Sequence, residues 1–474
     1  MEPEKITEEQ LERQRAAARS VKALHAAGGR RPLAFVDTYG CQQNEADSEK
    51  LRGMLREMGY GPAPSEQEAD VVVLNTCAVR EHAEQRVLGN VGALSRTKRE
   101  RPDQILALCG CMMQQPHMAE KIQKSYRHVD LVFGPHALWR FPSFIEKILR
   151  ERGRVFAVEE SAGVIAEDLP LERDKPPRAW LSVMYGCNNF CSYCIVPYVR
   201  GRERSRTFDA VLQEAAALVA RGYRDLTLLG QNVNSYGRDS GGETDFAALL
   251  EAVCAIPGDF LVRFMTSHPK DATERLFKTM ASNEKAARHL HLPFQAGSDR
   301  VLAAMNRGYT KEEYLSLVAL ARKYMPDLVL TSDVIVGFPG ETDADFSETL
   351  DILARARFDA LFTFLYSKRE GTPAAAMPDS AGQAEKQARF DRLLALQNGI
   401  SAQRHQAYVG TEQKILIDGS DADARFRLTG RTNGGRLVRL DGDAALIGSF
   451  ARARIVGAST WSLTGQLLSP EGGN

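Results

Sequence analysis

The chain has 474 residues, 43% of them hydrophobic and 26% charged, and its formal net charge is zero. Such a composition is ordinary for a globular protein with a sizeable core, and the length suits about three domains of roughly 150 residues each. The amino-terminal segment lacks a signal-peptide pattern, and no apolar run approaches the roughly 18 residues that span a membrane, so we expect a soluble, cytoplasmic protein with no membrane partner.

The amino-terminal third is predicted to be an open parallel α/β sheet. Residues 1–31 combine mixed charge with weak apolar spacing and are predicted to be an extension with a helical pattern. Residues 32–149 then alternate short apolar strands with helical patterns, which is typical of a parallel sheet covered by helices on both faces. The predicted strands are 33–38, 70–76, 105–110 and 130–134, and the predicted helices lie near 46–57, 80–97, 116–125 and 139–149.

Two further domains are predicted after a charged, proline-containing linker at 150–178. Residues 179–405 contain six strand–helix units, which suit a partial (βα)6 barrel better than the eight units of a closed barrel. Short strands joined by Gly, Asp and Asn turns over 406–470 predict a small all-β barrel, so the fold class is multidomain α/β. The predicted strands of the partial barrel are 180–184, 226–229, 261–267, 289–294, 328–338 and 359–367.

A cysteine triplet gives the sharpest local signal. Eight cysteines in a reducing compartment favour metal binding or catalysis over a disulfide framework. Cys187, Cys191 and Cys194 follow the first strand of the predicted partial barrel, at spacings of four and three residues. Three thiolates so spaced can hold three irons of a [4Fe-4S] cluster and leave the fourth iron open to chelate a substrate. A zinc site would need a fourth ligand, and no other cysteine or histidine lies nearby in the sequence.

Three other cysteines share a position rather than a local motif. Cys41, Cys77 and Cys111 each stand just after a predicted strand of the amino-terminal sheet. The carboxyl ends of parallel strands meet at one edge, where open α/β sheets bind ligands. Buried packing residues would instead be expected inside the strands, so the pattern predicts that these three converge on a second cluster. Cys109, within a strand, and Cys254, within a helix, are predicted to be ordinary core residues.

Several segments resemble the methylthiotransferases among the radical S-adenosylmethionine (SAM) enzymes, across about residues 33–467. The opening Tyr-Gly-Cys-Gln-Gln-Asn at 39–44 is similar to the members that modify isopentenyl-adenosine next to the tRNA anticodon. Tyr185 stands where a glutamate is more usual in the family, and Gln43 where methionine is common. The other matching segments are 75–80, 110–111, 186–206, 291–298, 332–342, 371–373 and 430–433.

The resemblance implies three parts and their cofactors. An amino-terminal methylthiotransferase domain would hold an auxiliary [4Fe-4S] cluster, a radical SAM core would hold a second [4Fe-4S] cluster that binds S-adenosyl-L-methionine, and a carboxyl-terminal TRAM domain would bind the tRNA substrate. The electron donor and the sulfur source are not identified by the sequence. The implied metal ligands are Cys41, Cys77 and Cys111 for the auxiliary cluster and Cys187, Cys191 and Cys194 for the other.

The implied activity is transfer of a methylthio group to C2 of N6-isopentenyladenosine at position 37 of tRNA. A radical is required because an aromatic C–H is not acidic enough for general-base chemistry, and cofactors supply such chemistry. Other functions stay open at this point. The same chemistry could act on threonylcarbamoyl-adenosine or on a ribosomal-protein aspartate. An RNA-binding iron–sulfur redox protein is the non-enzyme alternative, although it would not need a long barrel with glycine-rich strand exits.

Five residues are predicted to contact SAM. Tyr193 is similar to the aromatic residue that family members place near the adenine of SAM. Gln295 and Ser298 follow a strand and would contact the ribose or methionine part. Gly337 and Glu341 stand at a strand-to-helix turn, where glycine lets the backbone approach a ligand and the helix start offers free N–H groups. A packing aromatic and a plain turn are the competing interpretations.

Histidines and arginines give weaker indications. His289 and His291 alternate along one strand and are predicted to be satisfied interior residues rather than catalytic ones. The run Arg200, Arg202, Arg204 and Arg206 would either steer RNA or solvate a loop. A local excess of arginine in the carboxyl-terminal barrel favours contact with a phosphate backbone, and its members are Arg425, Arg427, Arg431, Arg436, Arg439, Arg452 and Arg454.

Overall fold

The structure is a computed structural model that describes residues 4–27, 29–79, 81–158, 164–173, 176–241, 244–379, 381–422 and 425–468. The chain divides into two compact units. The first comprises the described residues of Met1–Asp174, with Tyr185–Asn188 and Cys194–Arg206, and the second comprises those of Lys175–Met184, Asn189–Tyr193 and Thr207–Asn474. Among these described residues, none of the helices combines the length and apolar character that a membrane crossing requires.

The amino-terminal elements alternate strands with helices, as the sequence patterns predict. In chain order they are β1 (Glu4–Lys5), α1 (Glu8–Ala27), β2 (Leu33–Thr38), α2 (Gln42–Glu57), β3 (Gly61–Pro62), β4 (Val71–Thr76), α3 (Glu81–Glu100), β5 (Ile105–Gly110), α4 (Pro116–Ser125), β6 (Leu131–Phe133), α5 (Phe141–Glu151), β7 (Val155–Ala157) and β8 (Val164–Ile165).

A six-stranded parallel sheet, in the order β3-β2-β4-β5-β6-β7, forms the centre of the first unit. Alternate residues of β4 enter two different hydrophobic cores, Val71 and Val73 on one face and Val72 and Leu74 on the other. This pattern confirms a sheet that is covered on both faces.

Three parts of the first unit carry little sequence signal. The sequence patterns miss the edge strands β3 and β7, which are only two and three residues long, and β7 lies in the segment predicted to be a linker. Helix α1 has weak apolar spacing, yet Ala18 and Val21 are buried in one core of the sheet. Tertiary packing therefore orders segments whose local patterns are weak.

The later elements form the partial barrel and the carboxyl-terminal barrel. They are β9 (Arg178–Ser182), β10 (Met184–Tyr185), α6 (Val196–Arg200), β11 (Arg204–Ser205), α7 (Phe208–Ala220), β12 (Asp225–Leu229), α8 (Phe246–Ala255), β13 (Leu261–Phe264), α9 (Glu274–Ser282), β14 (His289–His291), α10 (Asp299–Ala304), α11 (Lys311–Tyr324), β15 (Val329–Val336), α12 (Asp343–Ala356), β16 (Ala360–Leu365), α13 (Gln383–Gln406), β17 (Glu412–Ser420), β18 (Leu428–Thr432), β19 (Leu437–Leu440), β20 (Phe450–Ala458) and β21 (Leu463–Leu467).

Six parallel strands confirm the predicted partial (βα)6 barrel of the second unit. They pair as two groups, in the orders β13-β12-β9 and β14-β15-β16. Helices α11 and α12 each begin with a capping box, Thr310 with Glu313 and Thr342 with Asp345, which satisfies free backbone N–H groups at the helix start. The loops that precede α11 and α12 therefore end at well-defined helix starts.

The small all-β domain is also confirmed. Its five strands close into a barrel in the order β17-β18-β19-β21-β20. Ile415, Ile417, Val438 and Leu440 are fully buried in its centre. In β19, Val438 and Leu440 flank the more exposed Arg439, as expected of a strand with one buried face.

Candidate active site

Three cysteines of the first unit lie at neighbouring strand exits. Cys41 follows β2 and immediately precedes α2, Cys77 follows β4, and Cys111 follows β5. Strands β2, β4 and β5 are adjacent in the sheet, so their carboxyl ends share one edge. The structure thus brings together three cysteines that are separated by up to seventy positions in the sequence.

Asn44, in the first turn of α2, connects the three exits. Its Oδ1 lies 3.9 Å from Sγ of Cys41 and 3.9 Å from Sγ of Cys111. Its Nδ2 donates to the carbonyl oxygen of Thr76 at 2.9 Å, one residue before Cys77. Asn44 was not among the predicted site residues, although it belongs to the opening segment that carries the family resemblance.

Two glycines allow the strand exits to approach one another. Gly40 has a φ of +139°, and a Cβ atom there would lie 2.4 Å from Cβ of Cys77. Gly110 has a φ of +93°, and its Cβ would lie 2.4 Å from the carbonyl oxygen of Thr76. No L side chain is tolerated at either position, so the close packing of the three cysteines depends on glycine beside Cys41 and Cys111.

A buried guanidinium lies against the same three exits. Arg200, the last residue of α6, is 4% exposed. Its Nε donates to Sγ of Cys111 at 2.9 Å, its Nη2 donates to Oδ1 of Asn44 at 2.8 Å, and its Nη1 pairs with Asp47 at 2.7 Å. A cation in this position stabilises the thiolate form of its neighbours.

The prediction for the Arg200–Arg206 run is therefore wrong in two of its members. Arg200 neither steers RNA nor solvates a loop, because it is enclosed with its carboxylate partner. Arg204 is equally buried and donates to the carbonyl oxygens of Arg202 and Arg200. Arg206 pairs with Glu167 at 2.7 Å. A charge run read along the sequence cannot reveal such partners, which come from distant elements.

The three thiols differ in acidity. A hydrogen bond with Cys77 lowers the pKa of Cys41 to about 6, although burial opposes the shift. The same hydrogen bond and burial raise the pKa of Cys77. Burial raises the pKa of Cys111, and the charge of Arg200 opposes that shift. Because metal ligands must be deprotonated, Cys41 is the thiol most ready to bind.

The donor set suits an iron–sulfur cluster. Three cysteine thiols meet at one sheet edge, and cysteine thiolates are the usual ligands of such clusters. Ala78, Ile195 and Val199 pack with Cys111 in a small apolar cluster that limits the access of water. These features fit an iron–sulfur cluster.

The cysteine triplet lies on the loop between β10 and α6. Cys187 and Cys194 belong to the first unit, and Cys191 belongs to the second. In the first unit, the backbone N–H of Cys187 donates to the carbonyl oxygen of Gly201 at 3.2 Å. In the second unit, Nη1 of Arg307 donates to Sγ of Cys191 at 3.4 Å. Each of these two cysteines is thus fixed inside its own unit.

Buried polar atoms at the strand ends of the partial barrel indicate a ligand site. Among the described residues, several such atoms have no hydrogen-bond partner, and each unmade bond costs about 1–3 kcal/mol. They follow β12, β13, β14 and β16, so they share the carboxyl edge of the barrel. Their amide, hydroxyl and imidazole chemistry fits the amino-acid and ribose groups of SAM. The atoms belong to Asn234, Ser267, His268, Gln295 and Tyr366.

His268 offers a donor to that site. Burial lowers the pKa of His268 to about 2, so its ring is neutral at physiological pH. Its Nδ1 accepts a hydrogen bond from the backbone N–H of Lys270 at 3.3 Å, which places the ring proton on Nε2. That Nε2–H is buried and has no acceptor among the described residues. His268 was not predicted as a site residue, although it directly follows the predicted strand 261–267.

The structure gives internal partners to most of the predicted SAM contacts. Tyr193 packs with Ala296 and Phe338, and Gln295 bridges to Val334 of β15 while its Oε1 stays buried and unpartnered. Ser298 donates to Asp345 at 2.5 Å. A SAM contact remains a prediction for all of these residues.

The glycine-containing turn after β15 is held by its own residues. Gly337 donates its N–H to Glu341 at 2.7 Å, and burial raises the pKa of Glu341 to about 7. A Cβ at Gly337 would lie 2.7 Å from the side chain of Lys386, so the missing Cβ admits Lys386. Contact of Gly337 or Glu341 with SAM is likewise still a prediction.

The interior position predicted for two histidines and the core position predicted for two cysteines are confirmed. His289 and His291 each place a ring nitrogen 3.0 Å from Oγ1 of Thr331. Cys109 is 1% exposed within β5, and Cys254 is 5% exposed within α8. Arg80, which belongs to one of the matching segments, lies outside the described residues.

The arginines of the carboxyl-terminal barrel divide into two groups. Arg436 is buried, contacts Asp359, and is therefore not a surface phosphate contact as predicted. Five others reach solvent and pair with carboxylates, four of them with acids that come earlier in the chain than the barrel's first arginine. The pairs are Arg431 with Asp418, Arg439 with Asp421, and Arg452 and Arg454 with Glu412, besides Arg427 with Asp441.

Three family models match successive parts of the chain. The Radical SAM superfamily matches residues 181–353, Uncharacterized protein family UPF0004 matches residues 34–134, and the TRAM domain matches residues 406–468. The first and third agree with the radical SAM core and TRAM domain that the sequence resemblance implied.

Relatives of known name cover nearly the whole chain. A tRNA-2-methylthio-N(6)-dimethylallyladenosine synthase from Acetivibrio thermocellus is 49% identical over 98% of this chain and 97% of its own length. Synthases of the same name from Alkaliphilus oremlandii and Carboxydothermus hydrogenoformans are 49% and 46% identical, over 93% and 92% of this chain and 93% and 99% of their own lengths.

A solved structure shares the fold at low identity. The radical S-adenosylmethionine methyltransferase TsrM from Kitasatospora setae, solved with tryptophan and a SAM analogue, aligns with a TM-score of 0.54 and 16% identity. The alignment covers 73% of this chain and 75% of that one, and at this identity it shows the fold alone.

Proposed function

Since this chain belongs to the tRNA-2-methylthio-N(6)-dimethylallyladenosine synthase family, we propose that it transfers a methylthio group to C2 of N6-isopentenyladenosine at position 37 of tRNA. It is a radical SAM enzyme, which implies S-adenosyl-L-methionine and a [4Fe-4S] cluster as cofactors. The threonylcarbamoyl-adenosine, ribosomal-protein and redox-protein alternatives are not favoured, because the relatives carry the isopentenyl (dimethylallyl) substrate in their name.

The proposal that the chain binds two clusters is supported by one observation. The thiols of Cys41, Cys77 and Cys111 gather at one sheet edge in a chain that also contains the triplet Cys187, Cys191 and Cys194. A single cluster would need only the triplet. We therefore assign the auxiliary [4Fe-4S] cluster to the strand-exit cysteines and the SAM-binding cluster to the triplet.

The residues of the chain have distinct tasks in this scheme. When bound, the two clusters and SAM supply the radical and the sulfur that replace an unactivated C–H. Arg200 balances the negative charge of the strand-exit thiolates, and Asn44 fixes their relative positions. His268 and Gln295 offer a donor and an acceptor to the polar groups of SAM, in keeping with their buried, unpartnered atoms.

The carboxyl-terminal barrel is the proposed tRNA contact. Its exposed arginines include Arg427, Arg452 and Arg454, with side chains 76%, 60% and 56% exposed. Their carboxylate partners are also solvent-accessible, and exposed ion pairs are worth only about 0–1 kcal/mol. A phosphate can replace such a partner at little cost, so these pairs do not prevent RNA binding.

The proposal is tested by anaerobic reaction of the reconstituted protein with tRNA that carries isopentenyl-adenosine. Mass spectrometry of the digested nucleosides should show a gain of one methylthio group on that nucleoside. Parallel reactions with threonylcarbamoyl-adenosine tRNA and with ribosomal protein serve as substrate controls. Product only in one of those controls would assign the chain to a different substrate, and SAM cleavage with no methylthio product anywhere would reject the transferase function.

A further inference from the structure

Two exposed phenylalanines stand in a row on the last strand of the partial barrel. Phe362 and Phe364 of β16 are 49% and 41% exposed, and no other phenylalanine in the described part of the chain is exposed. Their neighbours Leu361 and Leu365 pack against the main core of the second unit, which contains the barrel helices. Successive side chains of a strand point to opposite faces, so both phenylalanines face the interior side of the barrel.

The adjacent strands give this face a defined set of neighbours. The register pairs Asp333 with Phe362 and Ile335 with Phe364. The ring of His291 lies 5.7 Å from the ring of Phe362, and its Nε2 lies 3.4 Å from Oδ1 of Asp333. Phe362 and Phe364 therefore form an apolar, aromatic stripe, which we call the phenylalanine stripe, and the carboxylate of Asp333 lies beside it.

The stripe lies at the same height along the barrel as a predicted SAM contact. Gln295 bridges to Val334, which pairs with Thr363, the residue between the two phenylalanines. The Oε1 atom of Gln295 is buried without a partner there. Ile335 packs in the same apolar cluster as Tyr193. The exposed surface of Phe362 and Phe364 therefore lies next to the candidate SAM site.

We propose that Phe362, Phe364 and Asp333 form the site that receives the N6-substituted adenine, an inference that rests on the proposed function and adds the recognition of its substrate. Aromatic rings stack on the face of any base, and their apolar surface suits a branched hydrocarbon substituent. Asp333 supplies the selectivity. Its carboxylate repels an N6 substituent that ends in a carboxylate, such as threonylcarbamoyl, whereas an isopentenyl group meets only ring surface.

The test uses the full-length protein with both clusters and three anticodon stem-loop RNAs, carrying unmodified adenosine, isopentenyl-adenosine or threonylcarbamoyl-adenosine. Phe362→Ala/Phe364→Ala should lower kcat/KM for the isopentenyl RNA by about 10-fold or more, the loss typical of a removed stacking contact. The ratio of isopentenyl to unmodified kcat/KM should fall as well. Phe362→Leu/Phe364→Leu keeps apolar bulk without stacking and should fall between the wild type and the alanine variant. Asp333→Asn should strengthen binding of the threonylcarbamoyl RNA.

Trp461, an exposed aromatic residue on the carboxyl-terminal barrel, provides the matched control. Trp461→Ala should leave the ratio of isopentenyl to unmodified kcat/KM unchanged. If the wild type acts on isopentenyl RNA and the phenylalanine variants keep both kcat/KM and this ratio, the inference is overturned while the proposed function stands. If the phenylalanine variants change the oligomeric state but not this ratio, the stripe is a protein contact, and the inference is overturned in that case too. No methylthio product from the wild type rejects the proposed function itself.

Discussion

The two cysteine sets of this chain are assembled in opposite ways. Cys187, Cys191 and Cys194 lie within eight consecutive residues, so the loop itself provides all three thiols. Cys41, Cys77 and Cys111 come from three separate strand exits and meet only because β2, β4 and β5 are neighbours in a sheet. The first set depends on local sequence, and the second depends on the whole amino-terminal domain.

The two cysteine sets depend on different surrounding residues. The strand-exit set needs glycine at positions 40 and 110, an amide at Asn44 and a buried ion pair between Arg200 and Asp47. The triplet instead lies on one loop, where Arg307 donates a hydrogen bond to Sγ of Cys191. We therefore expect substitutions around the strand-exit set to cause loss of the auxiliary cluster. Substitutions around the triplet should lower the rate of SAM cleavage more than they lower the iron content.

The largest effects come from removing the cysteines. Cys187→Ala/Cys191→Ala/Cys194→Ala should halve the iron content, from about eight to about four per chain, and abolish 5′-deoxyadenosine formation. Cys41→Ala/Cys77→Ala/Cys111→Ala should also halve the iron, yet SAM cleavage should continue while no methylthio nucleoside forms. Iron analysis, deoxyadenosine chromatography and nucleoside mass spectrometry distinguish the two losses.

Cys109→Ala is the matched control for the strand-exit set. Cys109 lies two residues before Cys111 but is buried inside β5. Its replacement should keep product formation and cost only some stability through a small cavity. Loss of product in Cys109→Ala, with activity retained in Cys111→Ala, would show that the wrong cysteine of the pair has been assigned.

The next largest effect is expected from Arg200→Ala. The substitution leaves Asp47 buried without its cation, which typically costs about 3–5 kcal/mol of folding free energy. It also removes the hydrogen bond to Sγ of Cys111, so the auxiliary iron should be lost while the triplet keeps its own. Denaturant unfolding and iron analysis measure the two consequences. Arg200→Gln/Asp47→Asn removes both charges and should recover much of the stability but not the auxiliary iron.

Arg307→Met is the equivalent substitution beside the triplet, and its effect on iron content can be compared directly with that of Arg200→Ala. Arg307 donates to Sγ of Cys191 and to the carbonyl oxygen of Pro293 at 2.7 Å. Loss of hydrogen bonds from a charged donor should cost about 1.5–3 kcal/mol. Because the loop carries its own ligands, the iron content should not change, and only the rate of SAM cleavage should fall. Iron loss in this variant as severe as in Arg200→Ala would contradict the distinction between the two sets.

The smallest effect concerns pH and a residue that is remote in sequence from the cysteines. Burial raises the pKa of Glu341 from 4.5 to about 7. The folded protein therefore holds a proton that the unfolded chain has released, and this contribution to stability is lost as pH rises from about 4.5 to about 7. Glu341→Gln should lessen the fall in unfolding free energy over that range by about 1–2 kcal/mol.

Unfolding of the metal-free protein at pH 5 and pH 7.5 gives the measurement. Glu348→Gln, at an exposed glutamate of α12, provides the control and should not alter the pH dependence to the same extent. Equal pH dependence in the wild type and in Glu341→Gln would place the proton elsewhere.

Local patterns were sufficient for most of the architecture. Strands 33–38 and 105–110 and helix 116–125 have the bounds that the sequence predicts. Their apolar periodicity and capping residues are properties of adjacent positions, so they can be read along the chain. The cysteine triplet can be recognised from the sequence for the same reason. The position of each strand-exit cysteine directly after a predicted strand can be recognised in the same way.

Ion pairs between residues far apart in the sequence are visible only in the tertiary structure. Arg200 and Arg436 read as exposed members of basic runs, yet each is buried against a carboxylate far away in the sequence, Asp47 and Asp359. Burial of a charge depends on whether a partner arrives from another element, and no local pattern encodes that partner. The same holds for His268, which gains its place at the candidate SAM site solely because β13 lies beside β12 in the barrel.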